Sequence, residues 1–215
     1  MNIKLITIML LLIYNTNSAA QGRLDKSEIK RKHIQYINNT ETNFDINKLS
    51  ICSNYGCSKI TDAKFSAEQW IKISSILEIS AVSPAMERAA LAEVMGYIET
   101  IIGRQTNTQY DVGGTFNIYV NPRKAKSEQM DCIDESANTL LYLRFLDQEQ
   151  KIVWHDVVGL SSRGGLRAGY PHTAVLLIDK DSKQKYIIDS WFYDNGRPAT
   201  IVPYQMWKRG WKPGK

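Results

Sequence analysis

The chain is poor in cysteine, histidine and proline. Three cysteines in 215 residues exclude a disulfide-dense miniprotein, and 6 prolines with 13 glycines exclude a collagen-like repeat or a long flexible linker. Imidazole is confined to His33, His155 and His172, none at ligand spacing from a cysteine. No zinc module is therefore encoded, and we expect neither a metal nor a cofactor. Beyond the first twenty residues there is no long apolar run, no internal repeat and no low-complexity tract. What remains is 43% hydrophobic and 23% charged, the composition of an ordinary globular protein. At this length roughly 70% of the unfolded chain's surface can be buried, so a core forms without staples.

Charge is nearly balanced, with 27 Lys+Arg against 22 Asp+Glu and a net +5. Such an excess permits an anionic partner such as a cell-wall polymer, a membrane surface or a nucleic acid but does not demand one. The basic residues are scattered apart from Lys30-Arg31-Lys32 and a tail with Lys208, Arg209, Lys212 and Lys215. We read them as a solvated surface and expect no nucleic-acid partner.

Residues 1–20 read as an export signal: Lys4, an apolar run from Leu5 to Tyr14, then small Ser18 and Ala20 ahead of Gln21. Cleavage there leaves no integral membrane segment, and the expected address is periplasmic or secreted. An oxidising compartment favours a disulfide, and an odd number of cysteines leaves one thiol over. Cys52 and Cys57, separated by Ser-Asn-Tyr-Gly, are the natural pair, which leaves Cys132 alone. The alternative is three free, buried thiols. A redox role for Cys52 and Cys57 is a weaker reading, because their spacing is not Cys-x-x-Cys.

Residues 21–64 are polar with weak periodicity and read as an irregular or partly helical extension before a domain spanning 65–215. Ser66-Ala-Glu-Gln69 has capping-box spacing ahead of a helix over 67–79. Ser83-Pro84 opens a second helix carrying Met86, Ala90, Val94 and Ile98, with Gly103 as its stop. Thr115 to Val120 alternates like a strand, and a third helix is expected from about Cys132 to Gln150. Strands follow at 152–160, 173–178 and 186–191, so the fold class is α+β, with helices first and then a mostly antiparallel sheet.

Cys132 at a helix start sits where unpaired backbone N–H groups favour a thiolate. A tight turn pairing Lys180 with Lys183 sets His172 and Asp189 on one face of a hairpin as diagonal neighbours, so a carboxylate can orient the imidazole. Nucleophile, base and orienting acid in that order are the logic of acyl transfer. Gln129 is a candidate oxyanion donor beside the Cys132 N–H, or simply a polar residue before a helix. Asp134 reads as a helix-terminal hydrogen-bonding residue. The glycine- and arginine-bearing stretch from Ser161 to Pro171 reads either as a flap whose Arg163 and Arg167 meet an anionic substrate or as a solvated loop.

The segment Asp131-Cys-Ile-Asp-Glu-Ser-Ala137, with His172-Thr-Ala-Val and Tyr186-Ile-Ile-Asp-Ser190, resembles the motifs of transglutaminase-like domains and the related bacterial cysteine proteinases. The resemblance covers roughly residues 128–195. It implies a papain-like core with Cys132 as nucleophile, His172 as base and Asp189 as orienter. The expected function is then an exported thiol hydrolase of peptidase or amidase type. It would act through an acyl-enzyme on a protein, peptide, isopeptide or cell-wall peptide substrate. The rival is a non-catalytic peptide- or partner-binding domain that keeps the fold, and tolerance of Cys132→Ser separates the two.

Overall fold

The three long helices begin where capping chemistry tells them to. The protein is described by a computed structural model covering residues 48–116, 128–165 and 169–214. The export signal, the extension up to residue 47, residues 117–120 of the strand expected over 115–120, and Arg167 lie outside the described residues. Helix α1 (Ala67–Leu77) starts with Ser66 Oγ accepting from Gln69 N–H at 3.2 Å and Gln69 Oε1 accepting from Ser66 N–H at 2.8 Å. This is the reciprocal box the spacing predicts. A 3₁₀ turn, Glu78–Val82, leads to Ser83, whose hydroxyl caps α2 (Pro84–Thr106) with Pro84 in the first turn.

Gly103 does not stop α2. The helix runs on to Thr106 and closes at Asn107, which takes the left-handed conformation at φ 66° and returns its N–H to Gly103 O. The glycine serves close approach instead: a Cβ there would lie 3.1 Å from the Gln109 backbone. Helix α3 (Cys132–Gln148) is capped by Asp131, whose Oδ1 accepts from Ile133 N–H at 2.9 Å and Asp134 N–H at 3.2 Å.

Part of the region read as irregular forms an antiparallel hairpin, β1 (Leu49–Ser53) and β2 (Lys59–Ala63). Its inward Leu49, Ile51 and Ala63 join the main core. The second sheet is fully antiparallel in the order β3 (His155–Gly165), β4 (Gly169–Asp179), β5 (Lys185–Asp189), β6 (Thr200–Pro203). The β4–β5 register pairs Val175 with Ile188 and Leu177 with Tyr186, the alignment expected from the turn. The stretch expected as a flap or loop belongs largely to the β3–β4 hairpin, where Ser161 faces Ala174 and Arg163 faces His172. Two bulges interrupt β3, between Val157 and Gly159 and between Arg163 and Gly165.

The sheet has two covered faces. Val175, Leu177 and Ile188 pack with Leu91, Val94 and Ile98 of α2 and Leu143 and Leu146 of α3 in one apolar cluster. Each such side chain contributes about 1.5–3 kcal/mol on full burial. Ala174, Ile187 and Val202 point the other way and are covered by Trp207 of α4 (Tyr204–Lys208). The fold is therefore α+β, helices on antiparallel sheet. No helix among the described residues is long and apolar enough to cross a membrane.

Two further contacts fix α2 against the sheet. Fully buried Glu87 accepts from Val153 N–H at 2.6 Å, Trp154 N–H at 3.0 Å and His155 Nδ1–H at 2.8 Å. His155 Nε2 accepts from Arg88 at 3.0 Å, and the Arg88 guanidinium lies 4.0 Å over the Tyr186 ring. His155, to which the sequence assigns no role, is a structural clamp. At the other end Gly96 lies against the 195–197 turn, where a Cβ would come within 2.8 Å of Arg197 C and 2.9 Å of Gly196 O. Helix propensity favours alanine in mid-helix by about 1 kcal/mol, but the obstacle here is backbone. Gly96→Ala is expected to lower the urea midpoint, by about 1–3 kcal/mol of stability. A raised midpoint would mean the turn yields freely.

Candidate functional site

His172 and Asp189 meet as the sequence predicts. His172 on β4 donates from Nε2–H to Asp189 Oδ2 at 2.7 Å, and the same oxygen accepts from Trp207 Nε1–H at 2.8 Å. The imidazole sits in an aromatic basket, with ring centroids 4.6 Å from Trp191, 5.4 Å from Phe192 and 5.6 Å from Trp207. Its Nδ1 is buried and has no hydrogen-bond partner among the described residues. Arg163 closes one side of the basket. Buried rather than aimed at solvent, it donates to Trp207 O at 2.5 Å and Trp211 O at 2.8 Å and stacks 4.6 Å over the Trp207 ring.

Cys132 opens α3, as expected, but its thiol is sealed. The residue is 4% exposed and packs with Ile133 and Trp191, against partly buried Cys57, Phe116 and Phe192. Its Sγ contacts Pro171 O at 3.9 Å. Burial pushes the thiol well above its ordinary pKa, and the negative charges of Asp131, Asp189 and Asp134 push the same way, outweighing the Thr173 N–H that favours the thiolate. The imidazole supplies no opposing hydrogen bond, because Nε2 is engaged by Asp189 and Nδ1 is unpartnered.

Cys52 and Cys57 form a disulfide, as the sequence suggests, and so provide no thiol either. A thiol hydrolase needs an accessible thiolate activated by a base. The expectation of a cysteine peptidase or amidase working through an acyl-enzyme is therefore overturned.

Gln129 also has a different task from oxyanion binding. Its Nε2–H donates to Tyr110 O at 2.8 Å and its Oε1 accepts from Val112 N–H at 3.1 Å, so the carboxamide braces the 110–112 loop. Asp134 fulfils its structural role: Oδ2 accepts from Asp131 N–H at 3.0 Å and Oδ1 from Cys57 N–H at 2.6 Å. The ligand atoms of Cys52, Cys57 and Asp134 lie within 4.8 Å of one another, but both sulfurs are joined in the disulfide and both Asp134 oxygens already accept hydrogen bonds.

The disulfide closes an unusual turn. Asn54, Tyr55, Gly56 and Cys57 all have left-handed φ values, 66°, 65°, 65° and 56°. A left-handed turn costs roughly 1–2 kcal/mol per non-glycine residue. It is held by the segment leading into α3: Asn54 N–H donates to Gln129 O at 2.9 Å, Gly56 N–H to Asp131 Oδ1 at 3.2 Å, and Cys57 N–H to Asp134 Oδ1.

Beneath the site lie three buried carboxyls to which the sequence assigns no role: Glu99 of α2, Glu135 of α3, and Asp111 in the loop that follows α2. Burial pushes Asp111 up to about 9, with Glu135 and Asp194 adding to it. Burial likewise raises Glu135 to about 7 and Glu99 well above the carboxylate range. Protonated Asp111 donates to Glu135, which also accepts from Ser190 Oγ at 2.6 Å.

Three exposed apolar side chains stand on segments joined to the basket. Tyr110, Val112 and Tyr193 are 64%, 50% and 37% exposed. They are tied to the basket by Gly114 N–H donating to Trp191 O at 2.7 Å and by Gly113 lying on the Tyr193 backbone. No family model, no curated protein and no solved structure matches this chain.

Proposed function

We propose that the chain is an exported, non-catalytic domain of the transglutaminase-like kind that binds a peptide or a segment of a partner protein beside the His172 basket. One observation carries the reading: the site combines a sealed, protonated thiol with an acceptor, His172 Nδ1, that lacks a partner among the described residues. A buried acceptor left unpaired costs about 1–3 kcal/mol, and a donor from a bound segment recovers that cost once the side chains covering the ring move aside. The helix-start Cys132, strand-borne His172 and Asp189 at the end of the next strand support the family resemblance.

The exposed Tyr110, Val112 and Tyr193 suit a binding rim, since aromatic side chains supply interface anchors. A peptide of matching character would place an apolar side chain on that rim and a backbone or side-chain donor toward His172.

Selection of a displayed peptide library on the full chain, followed by tryptophan-fluorescence titration of the selected peptides, tests the reading. Cys132→Ser is expected to bind within about twofold of wild type, whereas Tyr110→Ala combined with Tyr193→Ala weakens binding about tenfold or more. Binding that depends on the Cys132 sulfur, or that ignores both tyrosines, would sink it.

A further inference from the structure

Three features of the Cys52–Cys57 loop converge. Three non-glycine residues, Asn54, Tyr55 and Cys57, are held in the left-handed region in one unbroken run with Gly56, where L-residues are strained. The N–H groups of Gly56 and Cys57 are bound by Asp131 and Asp134, the two side chains that also form the cap of α3. Cys52 is buried, whereas Cys57 is partly exposed and packs against the cluster containing Cys132. Opening the disulfide would free the turn to leave its left-handed conformation, withdraw two donors from the α3 cap and lift one wall from Cys132.

We propose that the Cys52–Cys57 disulfide is an exchangeable redox site for a dithiol reductant, and that its opening loosens the start of α3 and uncovers Cys132. A thiolate of the dithiol attacks Cys57 Sγ, the more accessible sulfur. A new S–S bond forms to the reductant, the Cys52–Cys57 bond breaks, and its electron pair leaves on Cys52 Sγ, which takes up a proton. The reductant's second thiol, after losing its proton, attacks its own bound sulfur and expels Cys57 as a thiolate that is protonated in turn. The protein gains two thiols and the dithiol becomes a disulfide. This inference is independent of the partner-binding reading.

The test uses the full-length chain in graded dithiothreitol at pH 7 without denaturant. Differential isotope-coded alkylation reads Cys52, Cys57 and Cys132 by peptide mass spectrometry, and circular dichroism follows the helices. The expected result is paired reduction of Cys52 and Cys57 with native helix content, and Cys132 labelling faster by about tenfold or more in the reduced form. Reduction that occurs only with global unfolding, or a Cys132 rate that ignores the state of the pair, overturns the proposal.

Asn54→Gly combined with Tyr55→Gly keeps the disulfide and relieves the strain, because glycine adopts the left-handed conformation freely. This variant should need more dithiothreitol for half-reduction, by about threefold or more. An unchanged requirement refutes the strain argument without relying on any cysteine variant that fails to fold.

Discussion

Glu87→Ala is expected to destabilise the protein by about 3–5 kcal/mol, the range for breaking a buried ionic or charge-assisted contact from one side. The carboxylate, fully buried, is the acceptor for Val153 N–H, Trp154 N–H and His155 Nδ1–H. Removing it leaves three donors without their acceptor and a cavity between α2 and the start of β3. The damage spreads through His155 to Arg88, whose guanidinium bonds His155 Nε2 and faces Asp179 at 3.6 Å.

Glu87→Gln retains one acceptor oxygen but turns an N–H₂ toward the backbone donors, so its loss should be intermediate. Urea unfolding followed by circular dichroism at pH 7 measures both. A loss for Glu87→Ala below about 1 kcal/mol would place this residue among ordinary surface substitutions and refute the clamp.

Alkaline pH should weaken the fold. Glu135 and Asp111, raised in the folded protein from 4.5 to about 7 and from 3.8 to about 9, retain protons that the unfolded chain releases from about pH 4 upward. Where the folded state binds more protons, stability falls as pH rises. Their contribution is thus fully present below pH 4 and lost progressively up to about pH 9, with Glu99 acting in the same sense. For Glu135 alone the displacement from 4.5 to about 7 corresponds to about 3 kcal/mol at about 1.4 kcal/mol per unit.

Asp179 works oppositely. The Ser182 N–H first, and then its hydroxyl and the Asp181 N–H, lower its pKa, so its contribution is lost as pH falls below the ordinary carboxylate range. Asp111→Asn with Glu135→Gln removes two of the groups that must hold protons while leaving acceptors for Met130 N–H and Ser190 Oγ. In denaturation across pH 4–9 the double variant should lose much of the wild-type decline and exceed wild type at pH 9. Wild-type stability that rises from pH 5 to pH 9 would contradict the assignment.

The elements with local chemistry were legible in the sequence. The capping box at Ser66–Gln69, the Ser83 cap with Pro84 behind it, the helix at Cys132 and the β4–β5 register each follow from short-range signals, and all appear. The β1–β2 hairpin was not legible, because the Cys52–Cys57 pairing marks a tight loop but encodes neither its left-handed run nor the strands on either side.

The candidate site divides in the same way. Pairing of His172 with Asp189 follows from strand register, whereas the fate of Cys132 depends on how deeply Trp191, Phe116 and the Cys57 loop bury it. Spacing along the chain does not encode that depth. The bracing role of Gln129 and the burial of Arg163 escape sequence reading for a related reason: their partners, the 110–112 loop and the Trp207 and Trp211 carbonyls, lie far away in sequence. Glu99 draws no reading from the sequence and His155 no role, because only long-range packing encloses them.

The two bulges in β3 have a consequence for how copies of this protein behave toward one another. As the outer member of its sheet, β3 is an eleven-residue edge, and a long, flat edge is a template onto which another chain can zip. Here Val158 is extruded between Val157 and Gly159, Gly159 turns to φ 140° and Gly164 to φ 78°, and Lys208 Nζ donates to Ser162 O at 2.7 Å. The row of outward amides and carbonyls is broken twice and covered once, while the opposite edge, β6, is only four residues long. Among the described residues, intermolecular strand pairing, the first step toward fibrils, finds no continuous edge on either side of this sheet.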